Sequence, residues 1–270
     1  MRTHNRPTPD NLPLTCRLKD KWVFLLACVL LIQPLPLYYV IRACLDPSFI
    51  TPAIPTRSFW DATFAVQSHG SFLETVRVNL WEGQIASLAW AWDHGRVFQT
   101  AALFLLGMLI GRRGLFQKEN LKVWNKILAG ALIAFFPLYG LGNMLPAFIV
   151  NKSILTPLSL IITSLSNFSF MLVLVSGVIF AFYNTNMHYL LMKITPYGKM
   201  SLTNYITQSI VGSMLYYNWG FALHNQCGIT VSCLAGIAFF ILQFTFCRWW
   251  MSHHSHGPME YIWKRATWLK

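Results

Sequence analysis

Long apolar runs with few charges limit the folds that are open to this chain. The run 22–41 is the clearest, because twenty residues pass without an Asp, Glu, Lys or Arg. A helix that rises about 1.5 Å per residue needs about 20 such residues to cross the roughly 30 Å of bilayer hydrocarbon. Only 11% of the 270 residues are charged, whereas about a quarter are charged in soluble domains. The sequence therefore predicts a membrane protein and excludes an ordinary soluble enzyme.

Six stretches predict an all-α, polytopic transmembrane helical bundle of about six spans. They lie near 22–41, 97–111, 127–150, 156–183, 201–221 and 229–249. The second stretch is short, and we expect it to extend outward through Trp90 and Trp92. In the third, Pro137 and Pro146 predict a kink or a distorted outer end. The window that holds the fourth begins at 154 and allows one long tilted helix or a re-entrant turn near Pro157.

The distribution of basic residues predicts the orientation of these spans, because cytoplasmic loops carry an excess of Lys and Arg. With both termini in the cytoplasm, 16 of the 21 Lys and Arg residues lie on inner segments when Arg248 is counted there, and 5 lie on outer segments. The chain then has a cytoplasmic tail at 1–21, disordered over 1–16, and a membrane domain at 22–270. That domain contains an outer loop at 42–96 and a cytoplasmic tail at 250–270. The predicted location is the plasma membrane, which is the inner membrane in a Gram-negative cell.

The formal net charge of +12 is explained by this topology. The basic residues lie between apolar runs and form no basic helix or aromatic RNA-binding motif, so no nucleic-acid partner is predicted. The expected partners are the lipid bilayer and other membrane helices, or a second copy of the chain. A cleaved signal peptide is a weaker interpretation of the first run, which has no small-residue cleavage site.

Neither a metal nor a cofactor is predicted. The six cysteines form no C-x-x-C pair. His253, His254 and His256 are interpreted as a polar strip near the lipid headgroups, with metal binding as the alternative. Cys44 and Cys227 share the predicted outer face, where a disulfide is an open alternative.

Polar residues in the fifth stretch form the first candidate site. Ser201, Asn204 and Gln208 are spaced three and four residues apart, so they share one face of a helix. Such a stripe binds a polar substrate group or bonds to a neighbouring helix, and helix packing is the favoured interpretation.

The outer approach to the second stretch holds the other candidate site, formed by Asp93, His94 and Arg96. An acid and an imidazole suit proton transfer, and a guanidinium suits a carboxylate or a phosphate. Interfacial anchoring is the alternative, because neighbours on a helix point in different directions. Residues 72–84, which precede this group, predict an amphipathic helix along the membrane surface.

The common signatures of soluble enzymes are absent from the sequence. It has no P-loop, G-x-S-x-G elbow, dinucleotide fingerprint or H-E-x-x-H helix. Catalytic residues therefore stay unassigned at this stage.

Three motifs carry a family resemblance. The first is GKMSLTNY at residues 198–205, which is followed by Gln208 and Ser209. The second is RWW at residues 248–250, which is followed by GPMEYIWK at residues 257–264. The third is FLLGM at residues 104–108, which is followed by Gly111, Arg112 and Gly114. These motifs resemble those of the YeiB-like bacterial membrane proteins, the domain of unknown function family 418, and the resemblance covers residues 20–270.

The resemblance implies a membrane protein whose wider kinship is with membrane acyltransferase-like proteins. The activity of the family is not established, so the resemblance implies a membrane protein of unassigned activity, with a membrane-embedded acyl- or group-transferase and a transporter or transporter subunit as the alternatives. Members of the family are longer and carry several further spans on the N-terminal side, so this chain resembles their C-terminal part and is expected to be a truncated product or to have a misplaced start. The presumed catalytic His of that kinship lies in those earlier helices. The resemblance therefore assigns no catalytic residue to this chain.

Overall fold

The computed structural model describes residues 18–46, 48–52 and 56–267, and every regular element within them is helical. The all-α class is therefore confirmed. The predicted disordered segment 1–16 lies outside the described residues. The helices are α1 (Asp20–Leu31), α2 (Pro34–Leu45), α3 (Thr56–His69), α4 (Phe72–Leu80), α5 (Glu82–Asp93), α6 (Arg96–Arg112), α7 (Leu121–Phe148), α8 (Lys152–Tyr183), α9 (Thr185–Lys199), α10 (Ser201–Tyr216), α11 (Ile229–His253) and α12 (Pro258–Thr267).

The helices form two compact units. Unit 1 consists of Met1–Ile54 and Leu88–Tyr183, and unit 2 consists of Pro55–Ser87 and Asn184–Lys270. In unit 1, α1 packs on α6, α2 packs on α8, and α7 packs on α8. In unit 2, α9 packs on α10 and α11, α10 packs on α12, and α3 packs on α4. The predicted outer loop 42–96 is thus largely helical.

Three to five candidate membrane spans occur among the described residues. Three are single helices: Lys118–Phe148, Lys152–Tyr183 and Ile229–His253. Two more qualify only as bent pairs: Asp20–Leu31 with Pro34–Leu45, and Phe72–Asp93 with Arg96–Arg112. The predicted stretch 201–221 contributes only the 16 residues of α10, because the helix ends at Tyr216.

The span predicted over 22–41 is interrupted, because a break separates α1 from α2. The two helices meet at 51°, and Gln33 between them has a left-handed backbone with φ 63°. Pro34 explains the break, since a proline disfavours the helical conformation of the residue before it.

The second stretch reaches Trp90 and Trp92 only across a bend. Both tryptophans lie on α5, which is bent by 75° from α6. Gly95 sits at this corner with φ 62°, a conformation that favours glycine because a Cβ is strained there. The bend leaves Asp93 at the end of one helix and Arg96 at the start of the next.

The third and fourth stretches form long helices that continue through their prolines. α7 is helical through Pro137 and Pro146 and ends at Phe148. α8 is one 32-residue helix that contains Pro157, which agrees with the long-helix alternative. Pro157 has no N–H for the carbonyl of Ser153, and the Thr51 hydroxyl donates to that carbonyl instead at 3.1 Å.

Candidate functional site

Unit 1 contains a cavity of about 680 Å³, which we call the unit 1 cavity. Its walls come from α2, from residues 50–52, from the α5–α6 corner and from the first half of α8. Asp93, His94 and Arg96 all line it. The bend at Gly95 is what allows these sequence neighbours to line one cavity.

The two helix breaks of unit 1 contact each other beside this cavity. A Cβ built on Gly95 would overlap the side-chain amide of Gln33 and touch Leu160 of α8. Glycine is therefore required at position 95 both by its backbone conformation and by the space around it. The contact joins the α1–α2 break to the α5–α6 corner.

Buried polar side chains connect these breaks to α8. The Gln33 Nε2 donates to Ser164 Oγ at 3.0 Å, and the Gln99 Nε2 donates to the Ser164 carbonyl at 3.4 Å. Arg96 donates in turn to Gln99 Oε1 at 3.0 Å. Gln33 is 0% exposed, and its Oε1 has no hydrogen-bond partner among the described residues. Buried polar groups of this kind are costly in an apolar helical protein, so they mark the cavity as a candidate site.

A polar face of α8 forms another wall that the sequence reasoning missed. Thr156, Ser159, Thr163 and Asn167 line the cavity and follow each other at intervals of three or four residues, so they share one face of the helix. That spacing within an apolar run was the signal that could have identified them.

The imidazole ring of His94 is held by a hydrogen bond and by ring stacking. Its Nδ1 lies 3.0 Å from the Trp90 carbonyl oxygen, and its ring stacks on Trp90 with centroids 4.9 Å apart. Because a carbonyl oxygen can only accept, Nδ1 donates in this contact, and the lone pair of the neutral imidazole then lies on Nε2. His94 is exposed, so Nε2 is an accessible proton acceptor.

Two residues of the predicted stripe take part in a polar network within unit 2. The Gln208 Nε2 donates to the Tyr197 hydroxyl at 3.0 Å and to Gln243 Oε1 at 2.9 Å. The Asn204 Nδ2 donates to the Tyr197 carbonyl at 3.0 Å, and the Gln243 Nε2 donates to the Asn204 carbonyl at 3.2 Å. These bonds join α9, α10 and α11.

This network has the geometry of helix packing. Asn204 is 4% exposed and Gln243 is 6% exposed, and the Cys247 thiol donates to Asn204 Oδ1 at 3.2 Å. Ser201, the remaining member of the predicted stripe, is exposed and makes none of these bonds. Gln243 was missed, although it stands four residues before Cys247 and so shares a face of α11 with it.

Glu260 caps the start of α10 from α12. Its carboxylate accepts from the Thr203 backbone N–H at 3.0 Å and from the Thr203 hydroxyl at 2.5 Å. Burial opposes ionisation of Glu260, but the Thr203 hydrogen bonds outweigh it and hold the pKa of the carboxyl below its usual value. A Cβ at Gly257 would overlap the Glu260 carboxylate, so the Glu260 side chain would have to shift.

The histidine cluster and the outer cysteines make separate local contacts. His254 stacks on Trp250 at 4.1 Å, and the Lys264 Nζ lies 3.1 Å from His256 Nε2. No group of three or more His, Cys, Asp or Glu that could hold a metal occurs in 18–46, 48–52 or 56–267. Cys44 and Cys227 are both free cysteines.

Comparisons with known proteins place these features in a family context. The profile of the family described as "Protein of unknown function (DUF418)" matches residues 110–270. The uncharacterized protein YxaH of Bacillus subtilis (strain 168) is 30% identical over 95 residues, which are 35% of this chain and 24% of that protein. An uncharacterized 39.9 kDa protein in the amylase 3′ region of Bacillus acidopullulyticus is 32% identical over 78 residues, which are 29% of this chain and 22% of that protein. The uncharacterized protein YeiB of Escherichia coli (strain K12) is 29% identical over 83 residues, which are 29% of this chain and 20% of that protein.

These matches cover part of each relative. The chain spans about a quarter, or less, of the length of the curated relatives it matches. No solved structure matches it. The family match includes α8 and the polar network of unit 2, whereas Asp93, His94 and Arg96 precede it.

Proposed function

Since the chain belongs to the DUF418 family of proteins of unknown function, we propose that it is a multi-pass protein of the plasma membrane with six spans and both termini in the cytoplasm. The 16 to 5 division of Lys and Arg supports this orientation. The three to five candidate spans support a polytopic arrangement. In this topology residues 42–96 face outward, 1–21 and 250–270 face the cytoplasm, and the bilayer is the main partner.

In this orientation the unit 1 cavity opens on the outer side and serves a group-transferase reaction. The reaction moves an acyl or similar group onto an acceptor outside the cell. The observation that carries this proposal is the His94 Nε2, which is free to accept a proton in a cavity that also contains Asp93 and Arg96.

Each residue of this group has a distinct role in the transfer. His94 Nε2 accepts the proton of the acceptor's O–H or N–H as that atom bonds to the acyl carbon. The leaving group then departs with its bonding electron pair and takes the proton from His94. The neighbouring Asp93 carboxylate stabilises the imidazolium, and Arg96 stabilises the negative charge that develops on the acyl oxygen.

A product assay tests this reaction. The full chain is reconstituted into vesicles and incubated with a radiolabelled acyl thioester and a lipid and metabolite extract, and the labelled products are separated. We expect a new labelled product that falls at least 100-fold in His94→Gln and persists in His69→Gln, which changes an imidazole of α3 outside the cavity. Absence of any product in the unmodified chain, or an equal amount in His94→Gln, would contradict group transfer.

Transport is the second candidate, and the two contacting helix breaks favour it. Transporter sites are often formed by discontinuous helices, and the Gln33 and Gly95 breaks adjoin the same cavity. Accumulation of chemically unchanged label inside the vesicles would favour transport over transfer.

A further inference from the structure

We propose that the unit 1 cavity binds the phosphate group of an anionic lipid from the outer leaflet, with Arg96 and Lys152 on the phosphate and the lipid's apolar part along the walls. This inference names the ligand class of the proposed site and rests on its proposed outward orientation. It does not depend on whether a group is transferred there.

The cavity carries two cations that lack a carboxylate partner. Arg96 and Lys152 both line it, and Asp93 is the only acid among its described lining residues. The ion pairs in the described part of the chain are those of Arg57 with Asp61, and of Arg112 and Arg113 with Asp20. The cavity therefore has an excess of positive charge that an anionic ligand can balance.

The start of α6 adds backbone donors to this charge. α6 begins at Arg96, and its N-cap residue Gly95 supplies no side-chain hydrogen bond. The first N–H groups of a helix have no partner within the helix, and they point along the positive end of its dipole. A helix N-terminus that has no side-chain cap and carries an arginine favours the binding of an anion.

The cavity lining carries more cationic donors than one carboxylate can use. Arg96 begins α6, whereas Lys152 begins α8, so the cations approach from different elements. A single guanidinium can satisfy both oxygens of a carboxylate. A phosphate presents further acceptor oxygens, which suits a lining that carries both Arg96 and Lys152.

The remaining walls suit the apolar part of a lipid. Leu35, Pro36, Ile50 and Leu160 line the cavity, and α8 is itself a candidate membrane span. The volume of about 680 Å³ lies within the range of about 300–1,000 Å³ that is usual for small-molecule sites. A ligand with an anionic head and an apolar tail therefore matches both parts of the lining.

Lipid titration tests this inference. The full chain in phosphatidylcholine nanodiscs is titrated with fluorescent phosphatidic acid, and the dissociation constant is compared with that of the double variant Arg96→Gln/Lys152→Gln. We expect at least tenfold weaker binding, because two charge-assisted contacts are lost. The matched control Lys118→Gln/Lys122→Gln removes two exposed cations of unit 1 away from the cavity and should stay within twofold. Thermal unfolding of each variant confirms that it is folded.

Several results would overturn the inference. If the Arg96→Gln/Lys152→Gln variant binds the lipid as tightly as the unmodified chain, the two cations have no role in binding. Displacement of the lipid by millimolar inorganic phosphate would identify free phosphate as the ligand, and tighter binding of oleate would identify a carboxylate. Lipid binding without a labelled product would sink the group-transferase proposal alone, whereas a labelled product without lipid binding would sink this inference alone.

Discussion

Glu260 and Thr203 form a contact between residues 57 positions apart. α10 begins after Met200, which supplies no side-chain cap. An N-cap oxygen normally accepts from one of the first N–H groups, and the Glu260 carboxylate performs this role from another helix. The motif that contains Glu260 was recognisable from the sequence, but its partner depends on how α12 packs on α10.

The Glu260 contact predicts a pH-dependent stability. Because its folded pKa lies below its ordinary value, its contribution is complete above the unfolded pKa and is lost as the pH falls through the folded pKa. We expect Glu260→Gln to lower stability by about 1–2 kcal/mol at pH 7 and to have a smaller effect as the pH falls through the folded pKa. Unfolding midpoints in detergent from pH 7 to pH 3 measure this difference. Glu119→Gln, which changes an exposed glutamate, is the control, and its stability difference from the unmodified chain should not shrink in this way as the pH falls. A Glu260→Gln effect that stays constant with pH would contradict the prediction.

The contact between Gly95 and Gln33 predicts that substitutions at these two positions have non-additive effects on stability. Gly95→Ala should destabilise the chain by about 2–4 kcal/mol, because Ala is strained at φ 62° and its Cβ would overlap the Gln33 amide. Gln33→Ala removes that overlap, so the double variant should be more stable than the sum of the two single effects. Unfolding midpoints measure the difference, with Gly107→Ala, where a Cβ meets no atom within 4 Å, as the control. Strict additivity would show that the two breaks do not interact.

At the scale of elements, the polar network of α9, α10 and α11 shows how far periodicity can predict contacts. Asn204 and Gln208 stand four residues apart, and both bond within this network. The spacing could not identify Tyr197 or Gln243 as partners, because it describes one helix and says nothing of which helix lies beside it. Ser201 fits the same spacing but is exposed.

This network predicts a folding defect for Asn204→Leu. The substitution removes the hydrogen bonds of the Asn204 amide to the Tyr197 carbonyl and to the Cys247 thiol. The buried Cys247 thiol then loses its acceptor, and such a loss costs about 1–3 kcal/mol for a buried polar group. We expect the yield of monodisperse protein after size exclusion to fall more than any activity per folded molecule, whereas Ser201→Ala should keep a normal yield. A normal yield with lost activity would instead assign Asn204 to a functional site.

The helix breaks were not predicted, although their causes are visible in the sequence. Pro34 and Gly95 each permit a break. α7 contains Pro137 and Pro146 and remains helical, so a proline alone does not decide where a membrane helix divides. The difference at Gln33 is that its side chain bonds to Ser164 of another helix.

At the scale of the whole molecule, the distribution of charge predicts the sidedness of the chain. In a variant without cysteines, a single cysteine at Ser71 should react with an impermeant maleimide on intact cells, and one at Gln117 should not. Both positions are exposed, so the membrane rather than local burial would set the difference. The opposite labelling pattern would reverse the orientation.

The sequence by itself determined the all-α class, the family and the chemistry available at Asp93, His94 and Arg96, because composition, motifs and local spacing are properties of the chain alone. Only the tertiary structure decided that these three residues share a cavity with the polar face of α8, and that Gln243 and Glu260 complete sites on α10. Such contacts join residues separated by 39 to 131 positions. They depend on which helix faces pack together, and that choice is made by side-chain shape and hydrogen bonding across the whole fold.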